Sequence, residues 1–136
     1  MSTYKGIRRI LTILYMAFIL WVTIFSRNVC ANHIFKGLFW EVRNRYWNDI
    51  ILNILFFVPL GILIGGKKGV AIGAILTFVV EMTQYIFKLG YCEVDDVMNN
   101  VIGTIIGVKL SKCFFRKVLL LCIKLKKLVY LIFLGR

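Results

Sequence analysis

Glu81, Gln84, Asp95, Asp96 and Asn100 fall within twenty residues, between two long apolar runs. Carboxyl and amide groups so placed could exchange a proton, receive hydrogen bonds from a polar ligand, or fix helix register. An ionisable group inside an apolar span is costly and usually faces the bundle interior with a partner. Glu81 and Gln84 are three apart and Asp96 and Asn100 four apart, so each pair shares one helical face. Asn53, on an earlier apolar run, adds a third amide. Candidate partners for Glu81 are Gln84, Asn53, Asn100 and Lys88. Asp suits the start of a helix, where it meets free N–H groups and the positive dipole end. One of Asp95 and Asp96 is expected to cap, and Asp96, sharing a face with Asn100, to look into the pocket.

The elements that must hold these groups are apolar helices. The 136 residues are 60% hydrophobic, with a mean hydropathy of +0.84, which places the chain among multi-pass membrane proteins. A spanning helix needs about 20 mostly apolar residues. Four runs qualify as expected spans: 10–25, 50–64, 70–87 and 97–110. Several are short, which fits a locally thin bilayer. Residues 1–113 form the transmembrane domain. The expected fold is an all-α integral membrane four-helix bundle with a basic amphipathic C-terminal helix.

Thirteen of the eighteen Lys and Arg residues fall before the first span, between the second and third, or after the fourth. Both termini are therefore expected in the cytoplasm, with all six acids outside or in the outer half of the membrane. The tail 114–136 is apolar but carries three lysines near its centre. Burying them would cost about 7–10 kcal/mol against about 4–7 returned by its apolar residues. It is expected to lie on the membrane surface, facing anionic lipid. The first run also resembles a signal peptide, but it is longer than a usual h-region and Arg27 intervenes.

Three spans carry stripes that are polar at one end and Gly-rich at the other: Asp49, Asn53, Phe57, Gly61; Gly69, Gly73, Thr77, Glu81, Gln84; and Asp96, Asn100, Gly103, Gly107. Alternating span direction aligns the polar ends outward and the glycines inward. Gly61/Gly65, Gly69/Gly73 and Gly103/Gly107 each have the spacing that lets helix backbones approach. The expectation is a tight inner end and an outward-opening polar pocket lined by Asn53, Glu81, Gln84, Asp95, Asp96 and Asn100. Pro59 frees a carbonyl near Leu55, and a kink is expected there. Between the first two spans, Phe35, Leu38, Phe39 and Val42 recur at helical spacing. They suggest a short surface helix with its aromatics at headgroup level; a ligand-contacting lid is the alternative.

Other chemistry is sparse. The net charge of +12 sits at span ends and no nucleic-acid motif accompanies it, so no nucleic-acid partner is expected. His33 stands alone in a loop, so no metal site and no cofactor are expected. No phosphate-binding loop, nucleophile elbow or dinucleotide fingerprint appears. Cys30 and Cys92 both fall outside and could pair.

The segments "DIILNILFFVPLGILIG", "EMTQYIF" and "VDDVMNNVIGTIIG" resemble the VanZ-like family of small bacterial membrane proteins. The matching positions are Asn53, Phe57, Pro59, Gly61, Glu81, Gln84, Asp95, Asp96, Asn100, Gly103 and Gly107. The resemblance covers about residues 49–109. It implies a multi-pass protein of a bacterial cytoplasmic membrane. The family's named member is linked to teicoplanin resistance, so the resemblance suggests a partner that is a lipid-linked cell-wall precursor or a lipoglycopeptide. Many members carry an Arg just before the acidic pair. Here that position, near Gly90 or Tyr91, has none, and Lys88 is the nearby substitute. An enzyme on a lipid precursor, with Glu81 and Asp96 as acid and base, or a proton-coupled transporter, are the competing expectations. The absence of a nucleophile or metal motif weighs against the enzyme.

Overall fold

A computed structural model describes residues 2–25, 35–89 and 92–134. Apart from short turns, the described residues are helical, with one pair of two-residue strands. Helix α1 (Ser2–Leu20) continues into a wider π-helical turn, Trp21–Phe25. Strand β1 (Phe35–Lys36) precedes the short helix α2 (Trp40–Arg43). Then come α3 (Trp47–Ile64), α4 (Gly66–Phe87), β2 (Cys92–Glu93) and α5 (Val94–Leu134). Strands β1 and β2 are parallel, pairing Phe35 with Cys92 and Lys36 with Glu93. Cys30 and His33 lie outside the described residues.

Among the described residues, three helices are long and apolar enough to cross a membrane: Lys5–Phe25, Trp47–Ile64 and Gly66–Phe87. They contain the first three expected spans. The expected fourth, 97–110, is the early part of α5, where Asn99, Asn100, Lys109 and Lys112 dilute the apolar character. Helix α5 runs unbroken for 41 residues, about 60 Å, and no helix end separates 113 from the tail. Helix α3 likewise runs unbroken through Pro59. The short helix expected from Phe35 starts only at Trp40. Phe39 takes a left-handed conformation (φ 61) and becomes its N-cap, and residues 35–36 pair as strand instead.

Helices α3 and α5 touch backbone to backbone. A Cβ on Gly103 would strike the Ile54 carbonyl oxygen, on Gly107 the Val58 carbonyl oxygen, and on Gly61 the Thr104 carbonyl oxygen. Helix α4 joins through Gly73, where a Cβ would lie 2.5 Å from Thr104 Oγ1, and Gly69, 2.9 Å from Val108 Cγ2. Without side chains between them, dispersion acts along whole backbones. The apolar core is small: Ile19, Phe57, Leu60 and Leu76, with Tyr15, Met16 and Phe56 against it. Most other large apolar side chains point outward, among them Ile13, Leu52, Ile75 and Ile86, as a lipid solvent permits.

Helix α1 is held by side chains that donate to main-chain carbonyls. Arg8 donates through Nε to Leu63 O and through a terminal nitrogen to Ile64 O, capping α3. Its guanidinium also lies 4.5 Å from the Phe115 ring centre. The Tyr15 hydroxyl donates to Phe56 O at 2.7 Å. At the far end, Gln84 Nε2 donates to Thr23 O at 2.9 Å, inside the π-helical turn.

Gly103→Ala and Gly107→Ala should each destabilise the fold by about 1–3 kcal/mol through forced separation of α3 and α5. Gly37→Ala, where nothing lies within 4 Å, should be near neutral. Thermal unfolding in detergent measures the contrast.

Candidate functional site

Five of the six acidic residues meet at one end of the bundle, and α2 roofs them. Glu41, the sole acid of α2, is only 2% exposed. Its Oε2 accepts the Asn99 amide N–H at 2.7 Å, and its carboxyl hydrogen-bonds Asp96. Asp96 Oδ1 accepts the Asn53 amide at 2.5 Å, joining α3 to α5. Glu81 Oε2 accepts the backbone N–H of Glu93 at 3.1 Å. One turn deeper, Asn100 Nδ2 donates to Thr77 Oγ1 at 2.8 Å, and the Thr104 hydroxyl donates back to Asn100 O.

Asp95 corrects an expectation. Its carboxylate reaches away from its own helix: Oδ1 accepts the N–H of Phe39 at 2.6 Å, and Oδ2 that of Glu41 at 2.9 Å. It caps α2 from more than fifty residues away. Phe39, the local N-cap, has no side chain able to do this, so a distant carboxylate satisfies the free N–H groups. A second correction concerns the nearby cation. It is Lys36, not Lys88. Lys36 Nζ lies 2.7 Å from Glu93 Oε1 and 3.8 Å from the centre of the Trp40 ring, which stacks on Tyr46. Lys88, in a left-handed C-cap, is exposed.

The structure thus brings Asn53, Asp96, Asn100 and Glu81 to adjoining levels of α3, α4 and α5. Gln84 turns its donor to the π-helical turn, and Asp95 serves the roof. The carbonyl oxygens Gln84 Oε1 and Asn100 Oδ1 are buried with no hydrogen-bond partner among the described residues. Gln84 is 1% and Asn100 6% exposed. Beside Gln84 opens an apolar groove of about 560 Å³ lined by Leu20, Ile24, Phe25, Thr83, Phe87 and Leu89.

Sequence reasoning missed Glu41, Glu93, Asn99 and Lys36. Glu41 stood in a loop rich in aromatic and basic residues, with no partner in sight. Its partners come from α5, 54–58 residues on. The only local hint was an acid in the first turn of a short helix. One oxygen from each of Glu41, Glu93 and Asp96 lies within 4.8 Å of the others, a set of hard ligands of the kind Mg²⁺ and Ca²⁺ accept.

Burial pushes the Glu41 carboxyl up from 4.5 to about 8, reinforced by the charge and hydrogen bond of Asp96 and by Glu93 and Asp95. This shift favours the neutral form at pH 7, in which Glu41 can donate to Asp96. An acid whose folded pKa is raised binds more protons folded than unfolded between the two values. Stability should be greatest below pH 4.5 from this group, and fall as pH rises toward about 8. Glu41→Gln should flatten that slope, read from denaturant midpoints across the window. Asp95→Ala should free the roof by about 2 kcal/mol or more, giving about thirtyfold faster hydrogen exchange at the Phe39 and Glu41 amides with α3 and α5 protected as before.

A family model described as VanZ/LLP1 matches residues 12–116, which takes in every group of the site and all of the contacting glycines. Protein VanZ of Enterococcus faecium is 26% identical over 119 residues, covering 78% of this chain and 74% of the relative. No solved structure matches. The span-capable helices and the extent of the match make this chain a membrane protein of the VanZ/LLP1 family.

Proposed function

We propose that the protein sits in the cytoplasmic membrane of a bacterium and binds the polar head of a lipid-linked or amphiphilic molecule at its acidic end, facing outward. In this reading α1, α3, α4 and the first half of α5 form the four-span bundle. Both termini are cytoplasmic, the basic tail beyond residue 113 faces anionic lipid, and α2 roofs the outer pocket. The carrying observation is the juxtaposition of two environments. A buried polar cluster holds two carbonyl oxygens, Gln84 Oε1 and Asn100 Oδ1, with no partner among the described residues, and Thr83, next to Gln84 in the chain, lines an apolar groove. An amphiphile needs both, one for its head and one for its chain. Carboxylates and spare carbonyls favour a head that donates hydrogen bonds, such as an amine or hydroxyl.

Withdrawing or masking such a molecule would alter envelope composition or drug access, and the named member of the VanZ-like family that the sequence resembles is linked to resistance to the lipoglycopeptide teicoplanin. A contribution to glycopeptide resistance is the physiological expectation. Expression in a sensitive Gram-positive host should raise the teicoplanin concentration that stops growth. Glu81→Gln and Asp96→Asn should remove most of that protection at equal membrane abundance. Unchanged sensitivity on both deletion and overexpression would sink the resistance role.

An enzymatic reading has one specific support. Glu41, neutral at pH 7 beside Asp96, is protonated as a general acid must be. Turnover of a purified lipid substrate, lost in Glu41→Gln and Glu81→Gln, would favour it over binding alone.

A further inference from the structure

The opposite end of the bundle holds a second cleft, and its chemistry is the reverse. The start of α4 and the middle of α5 enclose about 420 Å³ lined by Gly66, Lys67, Val70, Val108, Lys109 and Lys112. Its lining thus combines three exposed lysines with two half-buried valines. No acid lies between Asp49 and Glu81 or after Asp96, so neither segment supplies a counter-charge. The first turn of α4 carries no acid either, leaving its positive dipole end uncompensated. The negative end of the neighbouring α3 is already taken by Arg8.

The level of the cleft is fixed by the chain. Gly65 joins α3 to α4, and both are long and apolar enough to cross a membrane. A short link between two such helices lies where lipid headgroups begin. A cleft there, lined by both lysines and valines, matches a headgroup phosphate above the start of an acyl chain.

We propose that this cleft binds the phosphate of an anionic phospholipid headgroup, held by Lys67, Lys109 and Lys112, with Val70 and Val108 against the upper part of its chains. Basic pockets between helices at a membrane surface hold anionic headgroups through this combination of charge and shape. The assignment is independent of what the acidic end binds.

The test is native mass spectrometry of the full chain in mild detergent, titrated with phosphatidylglycerol or phosphatidylcholine. The wild type should retain phosphatidylglycerol selectively. Each of K67Q, K109Q and K112Q should weaken retention about fivefold and the triple variant about a hundredfold, or about 1 kcal/mol for each lysine. K5Q/K117Q/K124Q removes the same charge from exposed positions outside the cleft and should bind as the wild type does. The proposal is overturned if the cleft variants retain lipid fully, or if both triple sets lose it equally, which would mark diffuse surface charge. It is also overturned if inorganic phosphate displaces the lipid completely, which would mark a free-phosphate site. Should the triple variant misfold, the single variants decide.

Discussion

The backbone contact between α3 and α5 governs the rest of the molecule. Gly61, Gly103 and Gly107 remove the side chains that would otherwise keep the helices apart. Their approach fixes both separation and register, since a shift of one turn would drive a Cβ-bearing residue against a carbonyl. The register brings Asn53 level with Asp96, so their hydrogen bond is set by glycines two to three turns away. Helix α4 then docks by Gly69 and Gly73 and lowers Thr77 onto Asn100. The polar end is assembled by packing at the other end. This suits a membrane, where the hydrophobic effect does little to press helices together.

Charge is divided along the same axis. The acids converge at one end, where three carboxylates share limited space with one described cation, Lys36. A neutral Glu41 relieves part of that repulsion. The other end has lysines and no acid. Between them lies a belt of exposed apolar side chains. In the proposed orientation the lysines lie by the cytoplasmic leaflet, and the two ends of the molecule face different solutions and different lipids.

What could be read from the residues follows from the range of the interactions. Spacing within one helix showed that Glu81 and Gln84, or Asp96 and Asn100, share a face, because the helical period is local. The glycine stripes were legible for the same reason. The role of Asp95 was not. Its partners are backbone N–H groups of Phe39 and Glu41, and any residue has such a group. Glu41 gave no signal in the sequence because its side-chain partners, Asn99 and Asp96, lie on another helix. Lys36 was overlooked in favour of Lys88, which is closer in sequence but exposed beyond its helix. The roof was thus invisible while the walls were not.

The attachment of α1 has a consequence for how this protein tolerates change. Arg8, Tyr15 and Gln84 each donate to a main-chain carbonyl, at Leu63 and Ile64, Phe56 and Thr23. Every residue type supplies that acceptor. Substitutions at the four accepting positions keep the acceptor in place, while a change at Tyr15 or Gln84 removes one bond and a change at Arg8 removes two. The genetic vulnerability of this seam is therefore one-sided, concentrated in three side chains, Arg8 and Tyr15 on α1 and Gln84 on α4.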